Sequence, residues 1–127
     1  SARNSTFLKK REIPMSENKR VLARYDAAIQ NYARLLAKAI ESKDPRSMGY
    51  DLIEASVTVD QRREMALPFA EGWMLEYIAV ATNLIRSLVA LANDAGGPNA
   101  AADVARNVSA YEALRAKNFT PEDLVSG

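Results

Sequence analysis

Apolar residues recur at three- and four-residue steps through most of the chain, the spacing that places them on one face of an α-helix. The first such stripe predicts a helix from about Ser16 to Glu41, with Ser16 as the N-cap and Glu17 in the first turn. The pattern stops at the polar residues 42–45. The stripe consists of Val21, Leu22, Tyr25, Ile29, Tyr32, Leu36 and Ile40.

A second helix is predicted to begin at Asp44 and Pro45, because Asp is a favoured N-cap and Pro is tolerated at the first helical position. Gly49 and the run 57–59 are poor helix formers, so a kink or a short extended piece stays open here. Pro68 ends or kinks the helix. Its predicted inward face comprises Met48, Leu52, Ala55 or Ser56, Val59 and Arg63.

The third helical pattern, residues 69–93, is the most hydrophobic. Apolar character on most of its sides predicts a central helix that is contacted by all the others. It is not predicted to span a membrane, because a span needs about 20 consecutive, predominantly apolar residues. The pattern is interrupted by Glu71, Glu76, Asn83 and Arg86.

A Gly-Gly-Pro break at residues 96–98 separates the third helix from a fourth, which Asn99 caps and which runs to about Lys117. Thr120 and Pro121, followed by two acidic residues, are typical of a further helix start. This pattern predicts either a longer parent protein cut at this point or a short terminal helix that docks through Phe119 and Leu124. The inward positions of the fourth helix are predicted to be Ala101, Val104, Val108, Tyr111 and Leu114 or Arg115.

Neither a sustained period-2 alternation nor an Asn-Gly or Asp-Gly hairpin signal is present. Long helical patterns joined by short loops predict antiparallel neighbours, and 127 residues fit one domain. The sequence therefore predicts an all-α, single-domain four-helix bundle, mostly antiparallel, with a basic N-terminal arm and a short C-terminal helix start. Residues 1–15 are predicted to be a flexible basic arm, and residues 16–127 to be the bundle.

The chain has no cysteine and no histidine. Their absence excludes disulfides, thiol nucleophiles, imidazole bases and nearly all zinc and haem sites. The Gly-Gly pair lacks the Lys-Ser/Thr of a phosphate-binding loop. Glu76 and Arg86 are the charged residues most prone to burial, because both lie in the most hydrophobic helix. For these two residues an interhelical ion pair or an exposed position is favoured over a catalytic role. We therefore expect no catalytic residue, no metal, no cofactor and no small-molecule substrate.

The charges are distributed unevenly. The whole chain has 17 basic and 16 acidic residues, but residues 1–24 alone have seven basic and two acidic residues, a net charge of +5. Such an arm is either a solvated terminus or a segment that contacts phosphates without reading sequence. In the second case nucleic acid would bind through Lys9, Lys10, Arg11, Lys19, Arg20 and Arg24.

The function predicted from these features is a non-enzymatic interaction protein, an assembly subunit, adaptor or export-chaperone-like protein, that works by helix–helix packing. Its partner would be another protein or a second copy of itself, in a homo-oligomer. A structural or regulatory protein that binds nucleic acid through its arm is the alternative. We expect a cytoplasmic location, or the virion or host cytoplasm for a viral protein. The predicted protein-binding residues are Phe69, Trp73, Tyr77, Ala101, Ala105 and Val108.

Overall fold

The computed structural model describes the backbone of residues 2–42 and 48–126, and the side chains of residues 17–42 and 48–124. Short 3-10 turns at Leu67–Phe69 and Gly97–Asn99 precede the third and fourth helices. The described ranges contain helices and no strand, and four long helices pack against one another. The prediction of an all-α four-helix bundle is confirmed. The helices are α1 (Ala2–Ser42), α2 (Gly49–Ala66), α3 (Trp73–Ala92), α4 (Ala100–Asn118) and α5 (Pro121–Ser126).

Helix α1 begins at Ala2, much earlier than the predicted start at Ser16. No glycine stands between Ala2 and Ser42, and the helix continues through Pro14. The side chains of the added turns, including those of Lys9, Lys10 and Arg11, lie outside the described residues. The flexibility of residues 1–15 stays a prediction.

Helix α1, and not α3, is the central element of the bundle. It packs against α2, α3 and α5, whereas α3 packs against α1 and α4 and has little contact with α2. The prediction that α3 is contacted by all the other helices is therefore wrong. Because α2 lies on α1 and apart from α3, part of the apolar surface of α3 faces an open groove. The buried side chains of α1 are Leu22, Ala23, Tyr25, Asp26, Ala28, Ile29, Tyr32, Leu36 and Ala39.

Helix α2 is continuous through residues 57–59, so the kink considered there does not occur. It buries Ala55, Val59 and Ala66, and these small or β-branched side chains let it approach α1 closely. The helix ends at Ala66, and Pro68 follows in the 3-10 turn, as predicted. The predicted start at Asp44 and Pro45 lies outside the described residues.

Helix α3 begins at Trp73 rather than at Phe69. Gly72 precedes it with φ of 53° and ψ of −120°, a conformation that residues with a Cβ atom rarely adopt. Phe69 belongs instead to the 3-10 turn, where its side chain is 57% exposed. The glycine breaks the helical backbone although the apolar pattern continues across it.

The short helix α5 begins where the sequence predicts a helix start, and its first turn forms a capping box. The Thr120 amide donates to Asp123 Oδ2 at 2.8 Å, and the Asp123 amide donates to Thr120 Oγ1 at 3.2 Å. The backbone hydrogen bond from Thr120 and the ammonium of Lys19, 3.0 Å from Asp123 Oδ2, lower the pKa of Asp123. These contacts hold α5 against α1, and Phe119 beside it is buried, as predicted.

Candidate functional site

A buried carboxylate on α1 is the centre of the largest polar cluster among the described side chains. Asp26 is 2% exposed and lies on the apolar stripe of α1, between the buried Leu22 and Ile29. A charge at such a position costs several kcal/mol unless partners replace the lost water. The partners come from α3 and α4, so the carboxylate joins three helices.

Three residues donate four hydrogen bonds to the carboxylate. The Tyr77 hydroxyl donates to Asp26 Oδ1 at 2.5 Å, and the Tyr111 hydroxyl donates to the same oxygen. The Arg115 guanidinium donates through Nε to Oδ1 at 2.9 Å and through Nη2 to Oδ2 at 3.1 Å. Gln30 Nε2 donates to the Tyr111 hydroxyl at 3.0 Å. We call these five residues the Asp26 network.

The network is arranged to keep both phenols neutral. Burial raises the pKa of Tyr77 above its ordinary value, and Tyr111 and Asp26 act in the same direction. Burial, followed by the charge of Asp26, likewise raises the pKa of Tyr111. Burial acts to lower the pKa of Arg115, but its hydrogen bonds to Asp26 and the charge of Asp26 outweigh that effect and raise it. Both hydroxyls and both carboxylate oxygens of the network have hydrogen-bond partners, which is typical of a structural cluster.

The raised pKa values of Tyr77 and Tyr111 predict loss of stability in alkali. In the unfolded chain both phenols ionise near the ordinary pKa of 10.0, whereas in the fold they stay neutral. Their contribution is therefore complete below pH 10 and is lost as the pH rises above it. We expect tyrosinate absorbance from these two residues to appear together with the loss of helical circular dichroism. Ionisation of Tyr77 and Tyr111 near pH 10, with the helices intact, would contradict the network.

Aromatic rings surround Tyr77 on several sides. Tyr25 and Phe119 contact its ring edge to face, at centroid distances of 6.1 and 5.7 Å, and Tyr111 lies tilted at 5.7 Å. Phe119 also makes an edge-to-face contact with Trp73 at 5.6 Å. Such contacts add to the burial of each ring. This end of the bundle is therefore closed by packed aromatic side chains.

A groove separates α2 from α3 and has α1 as its floor. It encloses about 380 Å³, and Tyr25 and Tyr32 of α1 form part of its lining. The Tyr25 hydroxyl is buried and has no hydrogen-bond partner among the described residues. Burial raises the pKa of Tyr25, while the nearby side chain of Thr82 and the charge of Arg63 act in the opposite direction. We call this cavity the three-helix groove.

The walls of the three-helix groove combine aliphatic and charged side chains. Val59 of α2 and Ile85 and Val89 of α3 supply apolar surface. The charged groups are Arg63, Asp60 and Arg86. Arg63 Nη2 lies 3.2 Å from Asp60 Oδ1, whereas Arg86 has no ion-pair partner among the described side chains. The lining is therefore cationic overall.

The surface of α2 that points away from α1 has three exposed apolar side chains among charged and polar ones. Tyr50, Ile53 and Val57 follow one another at helical spacing and are 92%, 65% and 48% exposed. We call these three residues the outer α2 stripe. They are not among the protein-binding residues predicted from the sequence. Further exposed apolar side chains lie at Met65, Leu67, Phe69 and Leu75, near the link between α2 and α3.

The residues that the sequence predicts for protein binding differ in how far they are exposed in the structure. Phe69 is exposed in the 3-10 turn and Trp73 is half-buried against Phe119. Tyr77 is fully buried, so its proposed contact with a partner must be corrected, because the Asp26 network and the aromatic rings enclose its side chain. Ala101, Ala105 and Val108 are all exposed on α4.

The charged residues singled out by the sequence also occupy different environments. Arg20 and Arg24 are exposed one turn apart on α1. Lys19 instead pairs with Asp123 at 3.0 Å and lies 6.0 Å from the ring centroid of Phe119. Glu76 and Arg86 are both exposed, so they do not form the buried acid–base pair considered as a catalytic site.

The acidic residues and the apolar helix α3 bear on the expected ligands and location. Within the described residues, no group of three or more acidic side chains is placed to hold a metal ion. Helix α3 is long and apolar enough, by length and composition alone, to cross a membrane. The core helix of a bundle has the same properties, so the expectation that the chain does not span a membrane stays a prediction.

Sequence patterns missed the Asp26 network because its members are far apart in the chain. Tyr77, Tyr111 and Arg115 follow Asp26 by 51, 85 and 89 residues. The available signal was an acidic residue within an apolar stripe. Comparison with protein-family models, curated proteins and solved structures finds no match to this chain, so its function has to be argued from its own residues.

Proposed function

We propose that the chain is a non-enzymatic helical-bundle protein that works by helix–helix packing, and that it pairs with a second copy of itself through the outer α2 stripe. The observation that carries the proposal is the exposure of Tyr50, Ile53 and Val57 on one face of a helix whose opposite face is already packed on α1. Contiguous exposed apolar side chains of this size are typical of interaction surfaces.

A second copy fits this stripe because a two-fold interface places the same surface on both subunits. In an antiparallel pair of α2 helices, Tyr50 of one copy would lie against Val57 of the other, and the two Ile53 side chains would meet near the axis. Tyrosine is enriched at such interfaces, since its ring supplies large apolar area while its hydroxyl remains hydrated.

The test is the mass in solution, measured by light scattering on size-exclusion eluate over a range of protein concentrations. We expect wild type to have twice the mass of one chain, and Ile53→Glu to have the mass of one chain. Ile53 is 65% exposed, so the substitution should leave the helical circular dichroism unchanged. Its effect on association should be large, because it places a charge at the centre of an apolar contact.

Val108→Glu is the matched control, since Val108 is an exposed apolar residue of α4 and belongs to the surface predicted from the sequence. It should remain a dimer. If Val108→Glu dissociates and Ile53→Glu does not, the interface lies on α4 and the assignment to α2 is wrong. A wild-type chain that stays monomeric at high concentration would contradict self-association altogether.

Nucleic-acid binding through the arm is the alternative proposal, and the exposure of Arg20 and Arg24 on successive turns favours it. Absorbance ratios on the same eluate distinguish the two functions. Nucleic acid that co-elutes at low salt and is removed at high salt would support the alternative, because phosphate contacts weaken steeply with salt. A salt-independent dimer without nucleic acid would support pairing through α2.

A further inference from the structure

The outward face of α1 carries a row of positive charges within the described part of the bundle. Its members are exposed, and their spacing of four, ten and four positions places them on one side of the helix. Within that stretch the single acidic residue is Asp26, which is buried in its own network. No negative charge therefore interrupts the row. We call it the α1 basic row, and it consists of Arg20, Arg24, Arg34 and Lys38.

The four cations of the α1 basic row are not neutralised by the protein itself. Among the described side chains every ion pair involves other residues, and Arg34 donates to the uncharged amide oxygen of Asn31 at 2.7 Å. The neighbouring Lys19 differs, because it pairs with Asp123 at 3.0 Å. A line of unpaired, exposed cations favours a partner that also carries its charges in a line.

The middle of the α1 basic row is uncharged. Ala27 and Asn31 are its exposed residues on the same face, and Asn31 shares a cleft with Asp51 and Glu54 of α2. Neither carboxylate forms an ion pair with the row among the described side chains. Both nevertheless repel an anion from the middle. A polyanion that contacts the row therefore has to place its charges at the two ends.

Double-stranded DNA has its charges in that arrangement. Arg24 and Arg34 are ten positions apart, or about 15 Å along the helix. The major groove of B-form DNA is about 12 Å wide, with a line of phosphates on each side, whereas the minor groove is about 6 Å wide. If α1 lay across the major groove, one pair of cations would meet each backbone strand. A membrane surface fits less well, because the row has no large apolar side chain to insert.

We propose that the α1 basic row binds the phosphate backbone of double-stranded DNA, lying across the major groove without reading the base sequence. The proposal rests on the nucleic-acid alternative given above, and it places the contacts on the folded part of α1 as well as on the arm. It does not depend on pairing through the outer α2 stripe, which points away from α1. DNA binding and dimer formation are therefore separate measurements.

The probe is a short fluorescein-labelled DNA duplex of mixed sequence, titrated with the full chain by fluorescence anisotropy at several salt concentrations. Each phosphate contact contributes about 0.9 to the slope of log affinity against log salt concentration. Arg34→Gln combined with Lys38→Gln removes two contacts that lie outside the arm. We expect this double variant to lower the slope by about 1.8 and to weaken binding at low salt by about tenfold or more.

Arg86→Gln combined with Lys117→Gln is the matched control. Both residues are exposed cations of other helices and have no ion-pair partner among the described side chains. This variant loses the same total charge but should keep the wild-type salt slope. Arg34→Lys combined with Lys38→Arg retains both charges of the row and should bind as wild type. All these residues are exposed, so circular dichroism should show the same helix content throughout.

Three results would overturn the proposal, and they differ in what else they overturn. Equal salt slopes for wild type and for Arg34→Gln with Lys38→Gln would restrict the contacts to the arm and leave the nucleic-acid function standing. The absence of duplex binding by wild type at low salt would contradict that function as well. Tighter binding of phosphatidylglycerol vesicles than of the duplex, with the same loss in the double variant, would assign the row to an anionic membrane.

Discussion

Asp26→Ala is expected to lower the free energy of unfolding by about 3–5 kcal/mol, measured by urea denaturation followed by circular dichroism. The variant leaves Tyr77, Tyr111 and Arg115 without their common acceptor in a region where Asp26 itself is 2% exposed. Unpaired buried donors, one of them charged, account for the size of the loss. A domain has only about 5–15 kcal/mol of stability in total, so this variant should unfold readily on warming.

Asp103→Ala is the matched control for Asp26→Ala. Asp103 also accepts from an arginine, Arg106, but the two side chains are 40% and 73% exposed, and such surface pairs contribute about 0–1 kcal/mol. A second comparison replaces Asp26 and the three residues that donate to it by apolar residues. This variant combines Asp26→Leu, Tyr77→Phe, Tyr111→Phe and Arg115→Met. We expect this combination to regain most of the lost stability, because no buried donor is left unpaired. A cost for Asp26→Ala no larger than that of Asp103→Ala would refute the role given to the network.

Tyr77→Ala is expected to destabilise the protein by a similar amount, about 3–5 kcal/mol. The ring is fully buried and touches Tyr25, Tyr111 and Phe119, so its removal leaves a cavity among aromatic side chains and deprives Asp26 of a donor. Tyr77→Phe keeps the ring contacts and removes only the hydroxyl, for an expected loss of about 1 kcal/mol. Urea denaturation with the helical signal as readout compares the two variants directly.

Leu75→Ala is the control for Tyr77→Ala, since it lies two residues away on the same helix and is 50% exposed. It should cost less than about 1 kcal/mol, as most surface substitutions do. A different outcome would contradict the burial of Tyr77. If Tyr77→Ala unfolds at the same urea concentration as wild type but no longer forms a dimer, Tyr77 is an interface residue, as predicted from the sequence, and is not buried in the bundle.

Helical periodicity was sufficient to predict most of the fold, because each long helix buries one stripe and the breaks between stripes are strong. The break at residues 96–98 and the capping box at Thr120 are local signals, and the structure confirms both. The start of α3 was not predictable in the same way. Phe69 continues the apolar pattern, but the extended backbone of Ala70 and the left-handed φ of Gly72 separate it from the helix.

Hydrophobicity also gave a misleading indication of the central helix. Helix α3 is the most apolar, yet α1 is contacted on more sides. Helix α2 packs on α1 through small or β-branched side chains, Ala55, Val59 and Ala66, and the larger side chains of the outer α2 stripe are left exposed. Which of two apolar stripes faces the core depends on how closely two helices can approach, and periodicity does not record that distance.

The candidate sites were the least predictable part of the molecule, because they too depend on how distant helices pack. Glu76 and Arg86 were the charges expected to be buried, since α3 is the most apolar helix, but both are exposed. Asp26 was the better candidate, because it interrupts the stripe of α1 between Leu22 and Ile29. Its partners, and the separation of α2 from α3 that opens the groove, arise only when distant segments pack together.

The Asp26 network also determines how α4 is positioned lengthwise along α1. Much of the surface of α4 consists of alanine, which offers few features to distinguish one longitudinal position from the next. Tyr111 and Arg115 are one turn apart, and both bind the same carboxylate. A slip of α4 by one turn, about 5.4 Å, would move one of them out of reach and leave a buried charge poorly paired. A single acidic side chain thus selects one alignment among several that packing alone would accept, as isolated polar residues do in the cores of coiled coils.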